Sequence, residues 1–279
     1  MIELDAAYID RIVRRALDED IGTGDITTLL TIGPGIMSEA QVVAKAECVI
    51  AGMQVAAAAF EKMDAEVDFM PLVKDSERAG RGDVIASVSG PARALLIGER
   101  VALNFLQMAS GVATLTRRYV DLVSHTEAKI IDTRKTVPGL RRLQKYAVGV
   151  GGGFNHRFNL SDGILVKDNH IAAAGSITAA ILAVKKNAPH TMKIECEVTT
   201  LNQLDEAIAA GADAVLLDNM TVEMLGEAVQ LAAGRVITEA SGGVIEQSVA
   251  AIAETGVDLI SVGALTHSAP AIDISLQFK

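Results

Sequence analysis

Apolar residues follow two kinds of pattern along the chain. In residues 5–20, Ile9, Ile12, Val13, Ala16 and Leu17 recur at intervals of three and four, which predicts an amphipathic helix ended by Gly22-Thr23-Gly24-Asp25. Residues 38–51 read as a Val- and Ile-rich strand and 52–62 as an Ala-rich helix. Residues 65–73 and 84–88 alternate as strands on either side of a Gly80-Arg81-Gly82-Asp83 turn. Residues 91–109 predict a long helix, broken at Ser110-Gly111 before a second helix to about residue 124. The first part of the chain is thus mixed α and β.

From Ala128 onward the pattern becomes regular. Short apolar runs at 129–132, 164–167, 192–198, 214–218, 236–240 and 259–262 alternate with helical segments, the last units recurring every 21 to 23 residues. Strict alternation implies parallel strands joined by right-handed crossovers. Six strands are fewer than the eight of a closed barrel, so the expected fold is an open six-stranded α/β barrel. A length of 279 residues leaves room for two domains, and 50% hydrophobic content is that of a folded protein.

Composition narrows the function. Aromatics make up 3% with no Trp, which excludes a surface that stacks bases. With 25 Lys and Arg against 35 Asp and Glu, the net charge of −10 is the wrong sign for general nucleic-acid binding. Cys48 and Cys196 lack the spacing of a disulfide framework or a metal site and read as buried thiols in a reducing cytoplasm. The acidic start, Met1-Ile2-Glu3-Leu4-Asp5, is not a signal peptide, and no uncharged run exceeds 16 residues, so no membrane span is expected.

Chemistry belongs at the C-terminal ends of barrel strands. Here those ends read Asp132-Thr133-Arg134-Lys135, Lys167-Asp168-Asn169-His170, Glu195 and Glu197, Asp218-Asn219, Glu239-Ala240-Ser241-Gly242-Gly243 and Ser261-Val262-Gly263. Between Lys129 and His170 there are eight Lys or Arg, three Asp and no Glu, a local +5 suited to a small, multiply charged anion. Arg141, Arg142 and Lys145 fit an ordinary solvated helix face; Arg134, Arg157 and Lys167, beside strands and glycine loops, do not. Glu195 and Glu197 lie two apart on one strand and so point to one face, where a carboxylate needs a cation or a ligand. Lys167 is the nearest partner by strand order. One of the two acids would bind sugar hydroxyls or a Mg²⁺-bound phosphate, with Asp218 helping from the next strand. Ser241-Gly242-Gly243 precedes a helix expected from Val244, and with Gly263 it suits a phosphate cradle. Gly149-Val150-Gly151-Gly152-Gly153 reads as a mobile connection.

Several of these segments occur together in a recognisable order. Asp132-Thr133-Arg134-Lys135-Thr136-Val137-Pro138-Gly139 is followed by Gln144-Lys145-Tyr146-Ala147-Val148 and Gly151-Gly152-Gly153-Phe154-Asn155-His156-Arg157. Leu160-Ser161-Asp162-Gly163 and Lys167-Asp168-Asn169-His170 come next. The run closely resembles the quinolinate phosphoribosyltransferases, decarboxylating nicotinate-nucleotide pyrophosphorylases of NAD synthesis and type II phosphoribosyltransferases. Glu19 to Thr28, Glu99 to Gln107 and Gly263-Ala264-Leu265-Thr266-His267-Ser268 extend the likeness over nearly the whole chain.

The resemblance implies an N-terminal α/β sandwich, residues 1–107 joined by a C-terminal strand in 268–279, and a barrel in 108–267. It implies a cytoplasmic homodimer with a shared active site. Its substrates would be quinolinate and phosphoribosyl pyrophosphate, with Mg²⁺ as cofactor and neither nucleic acid nor membrane as partner. Arg134, His156, Arg157 and Lys135, with Thr133 beside them, would hold quinolinate, and Arg100 would reach in from the neighbouring chain. Lys135 and Lys167 would face the pyrophosphate. Glu197 and Asp218 would hold ribose hydroxyls and, indirectly through the bound substrate, Mg²⁺. Lys135, Lys167, Glu197 and Asp218 form the expected catalytic set. Ser241, Gly242, Gly243 and Gly263 would cradle the ribose phosphate, with His267 nearby. The strand-three motif contains both acids; Glu197 is chosen because it sits one strand unit before Asp218, with Glu195 as the alternative. Competing readings are an aldolase using Lys167 as a Schiff base, a molybdenum-transport-linked relative, which would depart from Lys-Asp-Asn-His, and a nicotinate-specific transferase, which would need fewer arginines.

Overall fold

The computed structural model describes residues 2–279, which form two units. One takes in the described residues up to Arg117 together with Thr136–Gly152 and Leu265–Lys279; the other consists of Arg118–Lys135 and Gly153–Ala264.

In the first unit, helix α1 (Ala6–Ile21) is capped by Asp5, whose carboxylate accepts the Tyr8 N–H at 2.8 Å, and it buries Tyr8, Ile9, Ile12, Val13 and Leu17, the face read from the sequence. A short α2 (Ile26–Thr31) follows, capped by Asp25. The apolar pattern did not reveal it because only Thr28 is buried there. Next come β1 (Met37–Ala44), β2 (Cys48–Val49), α3 (Met53–Glu61), β3 (Asp68–Pro71), β4 (Arg78–Ala79), β5 (Val84–Pro91) and α4 (Ala92–Val123). The chain's last strand, Ile274–Phe278, pairs antiparallel with β1, and the sheet continues through β5 to β3.

Helix α4 runs unbroken for 32 residues, through the break expected at Ser110-Gly111. Those residues serve packing. A Cβ built on Gly111 would lie 2.2 Å from the Pro270 carbonyl oxygen, and the buried Ser110 hydroxyl accepts the Ala51 N–H at 3.1 Å. Small residues on one helix face let backbone approach; they do not end the helix.

In chain order, β6 (Lys129–Ile131) is followed by α5 (Arg141–Val150), β7 (Ile164–Val166), α6 (Asp168–Ala174), α7 (Ile177–Asn187), β8 (Ile194–Val198) and α8 (Leu201–Ala210). Then come β9 (Ala214–Asp218), α9 (Val222–Ala232), β10 (Ile237–Ser241), α10 (Glu246–Glu254), β11 (Leu259–Ser261) and α11 (Ala264–His267). The six strands of the second unit are parallel in the order β6-β11-β10-β9-β8-β7, with β6 and β7 at opposite edges: an open six-stranded α/β barrel, as the alternation implies.

Two expectations about α5 and its end do not hold. Lys145 is completely buried, because it lies three residues before buried Val148 on the inward side of α5, so it is no part of a solvated face. The glycine run from 149 is not a mobile connection: α5 continues to Val150, and a Cβ on Gly151 would lie 2.5 Å from the Ala113 carbonyl oxygen. None of the described helices is long and apolar enough to cross a membrane.

Replacing Gly111 by Ala gains about 1 kcal/mol of helix propensity. It loses more, about 1–3 kcal/mol net, because the Pro270 backbone cannot yield. Gly226→Ala, in α9 with nothing within 4 Å of the new methyl, keeps the gain. Thermal denaturation should therefore move in opposite directions for the two variants; a Gly111→Ala protein as stable as the parent would contradict the contact.

Candidate active site

Alternate residues of a parallel strand point to one face, and at the C-terminal ends of this barrel those faces converge on a cavity of about 310 Å³. The pairs Leu165 and Lys167, Leu216 and Asp218, and Glu239 and Ser241 line it, each two residues apart. On β8 the burial alternates, so Glu195 and Glu197 share the inward face while Cys196 is buried on the other. Burial pushes the thiols of Cys48 and Cys196 up to about 11, so neither is a nucleophile.

The cations arrive on loops. Thr133, Arg134 and Lys135 follow β6, and the Lys135 N–H is held by the Thr133 hydroxyl at 3.0 Å. His156 and Arg157 come from a segment that Phe154 joins to β6: the Phe154 N–H donates to the Ile130 carbonyl at 2.8 Å, and the Asp132 N–H to the Phe154 carbonyl at 3.1 Å. Fully buried Asp132 fastens this segment, accepting Asn155 Nδ2 at 2.7 Å and the His156 N–H at 2.9 Å. Arg157 donates through Nη1 to the Gly163 carbonyl at 2.9 Å. Burial, with the adjacent Arg134 charge, pulls its guanidinium below the usual arginine range; Glu195 offsets part of this.

Lys167 follows β7 and caps α6, its N–H donating to His170 Nδ1 at 2.9 Å. Its Nζ lies 3.3 Å from Glu197 Oε2, so it is an ammonium held by a carboxylate and not an amine set up for imine formation. Glu195 sits deeper, its Oε2 3.1 Å from His156 Nε2, and Glu239 Oε2 lies 3.6 Å from the same nitrogen. Asn219 braces the far side. It adopts φ +54°, donates through Nδ2 to Asp218 Oδ2 at 2.7 Å, and packs so close to Gly242 that a Cβ there would lie 2.2 Å from its Oδ1.

Of the residues singled out from the sequence, Thr133, Arg134, Lys135, His156 and Arg157 share this cavity with Lys167, Glu197, Asp218 and Ser241. Gly242 and Gly243 are exposed with φ +93° and +60° and, like Gly263, do not line it. The helix after them begins at Glu246, not Val244. Arg100 is exposed on α4, and His267, exposed in α11, has its Nδ1 2.6 Å from the Ser268 hydroxyl; both belong to the first unit. Sequence reasoning assigned no role to Asp132, Asn219 or Glu239. Each is a polar residue in or just after an apolar strand, which was the available signal. Four cationic side chains beside paired acids can bind a small anion with several acidic groups while contacting its hydroxyls.

Comparison with known proteins gives the same result along the whole chain. The family model for the quinolinate phosphoribosyl transferase N-terminal domain matches residues 25–110, and that for the C-terminal domain matches residues 112–277. The chain is 48% identical over 259 residues to a probable nicotinate-nucleotide pyrophosphorylase [carboxylating] of Bacillus subtilis, covering 93% of this chain and 89% of the relative. It is 40% identical over 285 residues to quinolinate phosphoribosyltransferase [decarboxylating] 1b of Nicotiana tabacum, covering 95% and 81%. The solved nicotinate-nucleotide pyrophosphorylase of Francisella tularensis superimposes with a TM-score of 0.94 at 42% identity, over 100% of this chain and 98% of that one.

Asp132→Ala removes the acceptors of Asn155 and the His156 N–H, and each buried donor left unsatisfied costs about 1–3 kcal/mol. Amide exchange at His156 should accelerate selectively while the β8–β10 amides stay protected. Unchanged protection at His156 would show that Asp132 does not hold the segment.

Proposed function

This chain belongs to the quinolinate phosphoribosyltransferase family, and on that premise we propose how its barrel mouth carries the family's reaction. The protein is a decarboxylating phosphoribosyltransferase of de novo NAD biosynthesis. It transfers the phosphoribosyl group of phosphoribosyl pyrophosphate to quinolinate, giving nicotinate mononucleotide, pyrophosphate and CO₂. The observation that carries the residue assignment is the convergence of Arg134, Lys135, Arg157 and Lys167 with Glu197 and Asp218 on one cavity.

Quinolinate is a dianion. Arg134 and Arg157 take its carboxylates by charge-assisted hydrogen bonds, with His156 and Thr133 closing the pocket. Lys135 and Lys167 face the pyrophosphate. The pyridine nitrogen attacks C1′ as pyrophosphate leaves, and positive charge develops on the sugar. Glu197 and Asp218 bind the ribose hydroxyls and are preorganised against that charge. Ser241 lines the cavity, and Gly242, Gly243 and Gly263, outside its lining at the ends of β10 and β11, would cradle the 5-phosphate. Once the nitrogen is alkylated, its positive charge draws the electron pair released as the neighbouring carboxylate departs as CO₂, and the ring carbon takes up a proton. No strong base is required.

The donor set fits Mg²⁺. Glu197 Oε2 is engaged by Lys167 and Asp218 Oδ2 by Asn219. Glu197 and Asp218 would therefore hold the ion indirectly, through the bound substrate. When bound, Mg²⁺ neutralises charge on the leaving pyrophosphate. The same reading makes the protein a cytoplasmic homodimer in which the partner subunit's Arg100 completes the site; buried free cysteines accord with a reducing compartment.

Supplied with quinolinate, phosphoribosyl pyrophosphate and Mg²⁺, the protein should release nicotinate mononucleotide and CO₂ in equal amounts. Asp218→Asn should lower turnover by about 10²–10³ with Tm and quinolinate affinity nearly unchanged. A large fall in Tm with near-normal turnover would make Asp218 a structural counter-ion instead.

Inactive Arg100→Ala and Lys135→Ala subunits, when mixed, should recover activity at about a quarter of the sites, because half of the dimers are hybrids with one intact site each. No recovery from demonstrated hybrids would exclude a shared site.

A further inference from the structure

Beneath the cations, the cavity floor holds a carboxyl group that the substrate contacts leave unexplained. The Glu239 side chain is 2% exposed, and its Oε1 is buried without a hydrogen-bond partner among the described residues. Its Oε2 shares His156 Nε2 with Glu195. His156 Nδ1 accepts the Arg157 N–H at 2.6 Å. A ring nitrogen that accepts a hydrogen bond carries no proton, so the imidazole is the Nε2–H tautomer, with a single N–H between two carboxyl groups.

The three side chains are close enough to hold a cation, their ligand atoms lying within 4.8 Å of one another. The proton on Nε2 opposes this, because a metal there would leave the ring with no proton on either nitrogen. What remains is two carboxyl groups, Glu239 and Glu195, whose nearest oxygens lie within 4.8 Å of each other away from water, with one Glu239 oxygen unpartnered among the described residues, an arrangement that favours a proton on one of them. Burial, then the Glu195 charge, holds Glu239 well above the usual carboxylate range; the Ser261 hydroxyl and Lys167 offset part of this.

The charge count shows the consequence. Toward Glu239 face Glu195 from β8, Lys167 after β7, and His156 from the segment joined to β6, which also carries Arg157 to the same cavity. Arg134, Lys135, Glu197 and Asp218 complete the ionisable groups of the mouth. With all four acids ionised they would cancel the four cations, and the side chains would bring no net positive charge to a dianion. We propose that Glu239 is kept as a neutral carboxylic acid, set against Glu195 beneath His156, and that it is a positioning residue that preserves the mouth's positive charge for a dicarboxylate substrate. The proposal rests on the quinolinate reading above for its ligand, but not for its proton.

Two measurements separate these. The first is ligand-free. An acid with a raised pKa keeps its proton in the folded state where the unfolded chain has lost it, so stability falls as pH rises from the usual carboxylate pKa through the raised one. Glu239→Gln has no such penalty, so its Tm should gain on the parent progressively as pH rises; a Tm difference independent of pH would overturn the neutral acid. The second is quinolinate binding. In the parent, affinity should fall by up to about tenfold per pH unit above the ionisation of Glu239. Glu239→Gln, uncharged and of the same shape, should bind as the parent does near neutral pH and show no alkaline fall. A Gln variant that binds at least about tenfold more weakly than the parent there, a loss of about 1.4 kcal/mol, would show that the ionised carboxylate is needed and overturn the proposal. If the Tm trend holds while the parent itself does not bind quinolinate, the substrate reading fails and the positioning role fails with it.

Discussion

A carboxyl group turned into a barrel is tolerable only with a cation, a hydrogen-bond donor or a proton beside it, and this requirement organises the second unit. Strands β8, β9 and β10 each send acids inward, and each acid is met by a partner from another segment or from the strand end. Lys167 meets Glu197, Asn219 meets Asp218, and the His156 N–H meets Glu195 and Glu239. Lys167 and Asn219 directly follow their strands and His156 lies on the segment joined to β6, so meeting the acids holds these segments at the mouth, where the remaining cations, Arg134, Lys135 and Arg157, line the cavity. Asp132 performs the same service one layer out by fastening the segment that carries His156 and Arg157.

The chemistry follows from that arrangement. A phosphoribosyl transfer to a dicarboxylate needs cations that outnumber local anions where the substrates bind, and fixed acids where the sugar becomes positive. The acids sit on neighbouring inward positions of parallel strands, at distances set by the backbone, and the cations meet them from the segments that follow β6 and β7. Asn219 shows how closely the parts are fitted: its left-handed backbone lets one side chain brace a strand-end acid and press against Gly242.

Much of this was legible in the chain. The period-two run around Cys196 put Glu195 and Glu197 on one face, and the βα alternation placed six strands and their polar ends. What stayed hidden depends on contacts between distant residues. Ser110-Gly111 looks like a helix breaker until Pro270 is seen against it, and Gly151 looks flexible until Ala113 closes on it. Lys145 looks like a surface charge because its neighbours Arg141 and Arg142 are basic, yet the helix turns it inward. Glu239 was visible as an acid in an apolar strand, but its meaning lies in two residues from elsewhere in the chain, His156 and Glu195. Which of the paired β8 acids lines the cavity likewise needed the position of Lys167, which pairs with Glu197.

The central claim is that the surplus of cations at the barrel mouth selects a dicarboxylate, and it is tested most directly by comparing kcat/KM for quinolinate and nicotinate under identical conditions. Each charge-assisted hydrogen bond lost with the missing carboxylate costs about 1.5–3 kcal/mol, so quinolinate should be preferred by at least about 10- to 150-fold. Equal efficiency with nicotinate would contradict the account.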